Sequence, residues 1–209
     1  THILESQQFN REWLEEEFFP LVKQMKRRAA LGGSTDLSGK RMITFFYEPS
    51  TRTRASFEIA MYMLRGQVIF STESARVFSS VAKGETIEDT IRVLCGYHPD
   101  VIVLRTDVEG MVAKAAEFST TSIINAGDGT GQHSTQALLD IYTIQDEISK
   151  IAGTSVAISG DLARGRTARS LAYMYAKYPD VKIYFVSPEA ARIRDDIKDY
   201  LKKHNVWFA

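Results

Sequence analysis

Residues 41–64 read RMITFFYEPSTRTRASFEIAMYML, and the change of pattern inside this stretch decides the fold. Arg41 to Tyr47 is rich in β-branched and aromatic residues and reads as a buried strand. Thr53 to Leu64 reads as a helix closed by Gly66. Between them, Pro49 favours a turn, and Ser50, Thr51 and Thr53 supply hydroxyls. A strand running through a short polar loop into a helix is the opening of a βαβ unit.

Outward from this stretch the same alternation continues. Upstream, Leu14, Phe18, Leu21, Val22 and Met25 fall at helical spacing over about Asn10–Leu31. Asn10 is placed to cap that helix, Gly32-Gly33 to end it, and Pro20 to kink or split it. Downstream come a short strand over 67–71, a polar stretch over 72–84, a helix over 86–95 and a strand over 101–105. A helix over 110–118 and a strand over 122–125 follow. A long helix over 135–148 leads to strands at 155–159 and 182–186, helices at 167–177 and 189–203, and a strand start at 206–208. This predicts an α/β protein of two doubly wound parallel-sheet lobes, with the long helix as bridge. The second lobe ends on an apolar strand start, so its sheet is expected to be partial, the chain being a piece of a longer protein.

Composition narrows the chemistry. The chain has 209 residues, 44% hydrophobic and 25% charged, the ordinary balance of a globular protein. Lys plus Arg is 26 and Asp plus Glu is 26, so no basic excess points to nucleic acid. The single cysteine, Cys95, excludes an internal disulfide framework and a cysteine-based zinc cluster. Apolar runs fall far short of the roughly 20 residues of a membrane span. Thr1–Glu5 carries neither a basic flank nor an apolar signal core, and the default setting is cytoplasmic.

Ligands of open α/β sheets bind outside the carboxyl ends of the strands. The loop Glu48–Arg54 ends the first strand and opens a helix, whose free N–H groups and positive dipole end favour an anion. Its arginines add forked donors suited to phosphate oxygens. The alternative is a capped helix with solvated arginines, and the hydroxyl and arginine cluster favours the cradle. Arg105 ends another strand. His133 and Gln136 open the long helix, although a lone histidine is more often structural. Gly165-Arg166-Thr167 sits between a second-lobe strand and its helix, and Ser79–Glu85 reads as a loop or a mobile flap. Neither a P-loop nor a dinucleotide G-x-G-x-x-G pattern occurs.

Five segments in order, FFYEPSTRTRASFE (45–58), SSVAKGET (79–86), the strand ending in Arg105, INAGDGTGQHSTQALLDIYTI (124–144) and GDLARGRTARSL (160–171), resemble the catalytic chain of the aspartate carbamoyltransferase family. The resemblance implies a carbamoyl-phosphate-binding domain over 1–134, and a bridging helix with the first part of an aspartate-binding domain over 135–209. It implies that Ser50, Thr51, Arg52, Thr53, Arg105, His133 and Gln136 bind carbamoyl phosphate, and that Thr53, Arg105 and His133 stabilise the oxyanion. Lys83 and Arg166 would bind aspartate, Ser79 and Lys83 would lie on a flap, and Glu48 would serve domain closure. It further implies a homotrimer with shared active sites, leaves room for a regulatory chain, and calls for no metal or organic cofactor, nucleic acid or membrane. The alternatives are a carbamoyltransferase with another amino-acid acceptor, or a non-catalytic carbamoyl-phosphate-binding or assembly subunit. Three positions depart from the family pattern: Ser134 where proline is usual, Thr106 where histidine is usual, and Arg169 where many members have histidine.

Overall fold

The computed structural model describes residues 1–209, which form two compact units. One comprises Thr1–Leu4 and Pro20–Gly129, the other Glu5–Phe19 and Thr130–Ala209. This division differs from the expected boundary after residue 134, and local contacts explain it. The Ser6 N–H donates to Gln132 Oε1 at 2.8 Å, and Gln132 Nε2 donates to Gln7 Oε1 at 2.8 Å. The Phe19 ring meets Tyr142 edge-on at 5.9 Å, and the Arg11 guanidinium lies 5.5 Å from the Tyr178 ring centre.

The N-terminal helical stretch starts where Asn10 accepts the Trp13 N–H at 2.8 Å. It runs as α1 (Arg11–Trp13), widens into a π turn (Leu14–Phe18) and resumes as α2 (Phe19–Ala30). Pro20 has no N–H for the preceding turn and its ring crowds that turn, so the widening beside it relieves both problems. Gly32 and Gly33, at φ +90° and +109°, end the stretch as expected.

The first unit continues with β1 (Arg41–Phe46), α3 (Thr51–Met63), β2 (Gln67–Thr72), α4 (Ala75–Phe78) and a 3-10 turn (Ser80–Lys83). Then come α5 (Ile87–Gly96), β3 (Val101–Thr106), α6 (Met111–Glu117) and β4 (Ser122–Asp128). Its four strands are parallel in the order β2-β1-β3-β4, so the winding direction reverses beside β1. Alternation along β1 builds a core on each face. Ile43 and Phe45 pack with Ile91, Leu94, Val112 and Ala115 of α5 and α6. Met42 and Phe46 pack with Met61 and Phe57 of α3. Beyond β4, the Ile3 N–H donates to Ile123 O and the Asn125 N–H donates to Ile3 O, both at 2.8 Å, so Ile3 pairs along that edge. Strand β2 forms the opposite edge.

The second unit holds α7 (Ser134–Ile148), β5 (Ser155–Ser159), α8 (Arg166–Tyr175), β6 (Lys182–Val186), α9 (Asp195–Lys203) and β7 (Trp207–Phe208). Its strands are parallel in sequence order, β5-β6-β7. The winding reversal therefore belongs to the first sheet. The helix expected over 189–203 begins only at Asp195. Pro188 leads into a 3-10 turn (Glu189–Ala191), and Arg192 and Arg194 stay extended at ψ near 150°. Asp195 and Asp196 in the first turn, with Lys202 and Lys203 in the last, complement the dipole of the shorter helix. No helix is long and apolar enough to cross a membrane.

Candidate functional site

In the first sheet the winding reverses between β1 and β3, which puts the loops after these two strands side by side. Ser50 takes the N-cap position of α3 at φ −160°, ψ 80°, and its hydroxyl caps no N–H of the helix. The first-turn N–H groups have no acceptor within the helix by construction, so they and the dipole face the loop. Thr51 and Arg52 are exposed, and Thr53 is half-buried. Arg105 comes to this loop from β3. Its Nη2 pairs with Glu48 Oε1 at 2.6 Å, and its Nη1 donates to Ala126 O at 3.2 Å. The register with β4 slips between Leu104 and Thr106, a local irregularity of the kind that re-aims a strand-end side chain.

The two loop arginines separate in role. Arg52 is exposed, whereas Arg54 turns back toward the sheet. It lies 3.4 Å from Glu73 and 3.9 Å from Glu58, and its Nη1 donates to Ser71 Oγ at 3.5 Å. Glu58 also accepts from Thr44 Oγ1 at 2.9 Å and from Ser71 Oγ at 2.5 Å. Arg54 therefore anchors the helix start to β2, and Glu58 links the helix to β1.

The polar stretch after β2 is largely helical. Ser79 donates its hydroxyl to Ala75 O at 2.6 Å and accepts the Val81 N–H at 3.2 Å, joining α4 to the 3-10 turn. Lys83 ends that turn on the surface, before Gly84 at φ +92°. Arg76 of α4 pairs with Asp107, just past Arg105, at 2.8 Å for Nη2. The Arg76 hydrogen bonds outweigh burial and hold the Asp107 carboxyl below its ordinary pKa.

In the second unit two helix starts carry candidate residues. His133 is buried at the N-cap of α7, and its Nδ1 accepts the Gln136 N–H at 3.4 Å. The same nitrogen lies 3.3 Å from Thr135 Oγ1, so the ring is held against the first turn of α7. The His133 N–H donates to Ser170 Oγ at 2.9 Å, tying α7 to α8. Gln136 Nε2 donates to Asp140 Oδ1 at 2.9 Å, so its carbonyl oxygen is oriented to accept. Burial raises the Asp140 carboxyl despite that bond. Arg166 opens α8 after Gly165, where a Cβ would come within 2.5 Å of Asp161 O, and only glycine fits without a shift.

The structure thus brings Glu48, Ser50, Thr51, Arg52, Thr53 and Arg105 together in the first unit, with Ser79 and Lys83 on the segment after β2. His133, Gln136 and Arg166 lie in the second unit. Sequence reasoning missed Asp128, Glu73 and the inward role of Arg54. Gly127-Asp128-Gly129 reads as a turn in sequence, whereas β4 runs on to Asp128, which staples the strand end to a distant segment. Asp128 Oδ1 accepts from Thr106 Oγ1 at 2.9 Å and from the Val112 N–H at 3.1 Å, and Oδ2 accepts from the Gly110 N–H at 2.9 Å. Gly129 follows at φ +52°, where a Cβ would come within 2.5 Å of Glu109 N.

The family model for the carbamoyl-phosphate-binding domain of aspartate/ornithine carbamoyltransferases matches residues 1–146. The chain belongs to the aspartate/ornithine carbamoyltransferase family. The chloroplastic aspartate carbamoyltransferase of Arabidopsis thaliana is 56% identical over 207 residues, covering 99% of this chain and 52% of the relative. The aspartate carbamoyltransferase catalytic subunit of Methanocaldococcus jannaschii is 53% identical over 172 residues, covering 82% of this chain and 55% of the relative. The Trypanosoma cruzi aspartate transcarbamoylase structure, in complex with carbamoyl aspartate and phosphate, matches with a TM-score of 0.92 and 34% identity. That match covers 100% of this chain and 68% of the other. The chain spans about half the length of the curated relatives it matches.

The three departures from the carbamoyltransferase pattern differ in their surroundings. Thr106 is buried and gives its hydroxyl to Asp128. Arg169 is buried and forked onto Asp196, at 2.7 and 3.3 Å, joining α8 to α9. Burial would raise the Asp196 carboxyl, and the Arg169 and Arg194 guanidinium groups override it, holding it below the ordinary range. Ser134 is fully buried and its hydroxyl has no hydrogen-bond partner.

Proposed function

We propose that this chain belongs to an enzyme that transfers the carbamoyl group of carbamoyl phosphate to the amino group of L-aspartate, giving N-carbamoyl-L-aspartate and phosphate for pyrimidine synthesis. The observation that carries the reading is the cradle at the winding reversal, where the start of α3, Arg52 and Arg105 converge on one loop. Ser50, Thr51, Arg52 and Thr53 take the phosphate, and Arg105 takes phosphate and the carbonyl side. Attack of the aspartate amine on the carbonyl carbon builds negative charge on one oxygen, which Thr53, Arg105 and His133 stabilise. Preorganised donors of this kind are worth about 3–4 kcal/mol each. Gln136 accepts from the carbamoyl amide. The leaving phosphate itself takes the amine proton, so no side-chain base, metal or organic cofactor is required. Lys83 and Arg166 meet the aspartate carboxylates, and Glu48 serves domain closure.

We further propose a homotrimer with shared active sites, in which the flap bearing Ser79 and Lys83 reaches a neighbouring subunit. Support comes from an apolar groove of about 520 Å³ in the first unit, lined by Ile69, Phe70, Phe78, Val93 and Tyr97. Phe78 is 79% exposed and Tyr97 60%, so two aromatic rings on this face stand open to a partner. The proposal keeps the cytoplasmic setting of the sequence reading; the plant relatives are named chloroplastic.

The test is carbamoyl transfer to a panel of amino acids by the chain extended to its natural stop codon. Turnover with aspartate alone is the expected result. Turnover with another acceptor overturns the substrate assignment, and phosphate binding without any turnover indicates a non-catalytic subunit. A second expectation concerns Glu48, whose carboxylate now neutralises Arg105. Glu48→Gln should tighten inorganic phosphate by roughly three- to tenfold at low salt, because one negative charge leaves the cradle. Titration calorimetry reads this directly, and weaker binding would show that Glu48 positions Arg105 rather than competing with the anion.

A further inference from the structure

The start of α3 breaks a capping rule. In a capping box the N-cap hydroxyl takes the N3 N–H, and a Glu or Gln at N3 reaches back to the N-cap N–H. Here Ser50 is the N-cap, its hydroxyl takes no helix N–H, and the N3 residue is Thr53, too short to reach back. The missing half of the box comes from elsewhere. Glu73, which follows β2, accepts the Ser50 N–H on Oε1 at 2.6 Å. Its Oε2 faces Arg54 Nη2 at 3.4 Å. Its side chain is 25% exposed, and the next residue, Ser74, turns through φ +62° into α4.

We infer that Glu73 is a positioning residue of the anion cradle, a capping carboxylate lent to α3 by the segment after β2. The physical argument is one of division of labour. A local capping box would consume the N3 N–H and fill the N3 position with a carboxylate, both at the place where an anion must sit. Glu73 fixes the Ser50 backbone from outside, so the N–H groups of the first turn and the Thr53 hydroxyl stay directed to the ligand. It also holds Arg54 away, so that Arg52 alone of the loop arginines faces outward. This inference rests on the reading of the loop as a phosphate cradle.

Two variants separate reach from charge. Glu73→Gln keeps an oxygen at the right distance from the Ser50 N–H and loses the charge. Glu73→Asp keeps the charge and falls one methylene short. Calorimetric titration of inorganic phosphate into the folded chains should give a dissociation constant within about threefold of the unaltered chain for Glu73→Gln. For Glu73→Asp it should be about tenfold weaker, the loss of one charge-assisted contact's worth of order. Glu73→Ala should match Glu73→Asp, and where it fails to fold the other pair still decides the matter. A merely structural role would lower the melting temperature without moving the affinity of the folded chain. Equal affinities in all variants, or tightening by Glu73→Gln with Glu73→Asp unchanged, would overturn the inference alone. Absence of phosphate binding by the unaltered chain would overturn the cradle reading and this inference with it.

Discussion

Asp128→Ala is expected to lower the stability of the first unit by about 2–3 kcal/mol, since a buried donor left without a partner costs about 1–3 kcal/mol. The carboxylate takes the Thr106 hydroxyl and the Gly110 and Val112 N–H groups on its two oxygens; without it the Thr106 hydroxyl keeps Val108 O at 3.1 Å, and the Val112 N–H is the buried donor left without an acceptor. Alanine leaves the α6 start uncapped and the loop after β3 unfastened, with Arg105 one residue before that loop. Asp128→Asn keeps one acceptor and should lose roughly half as much. Hydrogen exchange of the β3 and β4 amides, followed through urea unfolding, reports on this unit without averaging over the other. A loss below about 1 kcal/mol would show that the loop holds its shape without the staple.

Arg52→Ala should weaken inorganic phosphate binding by roughly ten- to a hundredfold, the equivalent of about 1.5–3 kcal/mol for a charge-assisted hydrogen bond. Its side chain is exposed at the start of α3, so its removal should leave the melting temperature almost unchanged. Arg54→Ala supplies the contrast. It removes the cation between Glu58 and Glu73, and the two carboxylates then face each other near the sheet. Destabilisation should be its main effect, with binding lost only as far as Glu73 loosens its hold on Ser50. Calorimetry and thermal melts on both variants separate the two roles. An Arg52→Ala chain that binds phosphate as tightly as the unaltered one would remove Arg52 from the cradle.

What could be read from the sequence was what local chemistry determines. The strand and helix around Glu48–Arg54 show in side-chain pattern alone, because a buried parallel strand and an amphipathic helix have different periods. Asn10 and Gly32-Gly33 marked the ends of the first helical stretch for the same local reason. Pro20 marked its break, though a π turn rather than a kink resolves it. The failures share a different cause. Glu73 lies 23 residues from Ser50, and Asp128 lies 22 from Thr106, so neither partnership exists until the sheet assembles. The segment 72–84 looked merely polar, yet Arg76 and Ser79 hold it in helical turns through contacts with Asp107 and Ala75. The segment 5–19 was read with the first lobe because it precedes it, and its partners, Gln132, Tyr142 and Tyr178, come more than a hundred residues later.

The Ile3 pairing along β4 gives the first sheet a polarity that its strand order alone does not. A sheet with two open borders can accept a neighbour at either side and so grow without limit, the geometry of a fibre. Here one border is already occupied by the chain's own backbone, through Ile3 and through Asn125 Nδ2 donating to Leu4 O at 2.7 Å. In this sheet the β2 border remains unpaired, so strand addition is directed to that side. A change such as Ile3→Pro deletes the donor to Ile123 O and would loosen this cover, while the Ile3 and Leu4 carbonyls still accept from Asn125.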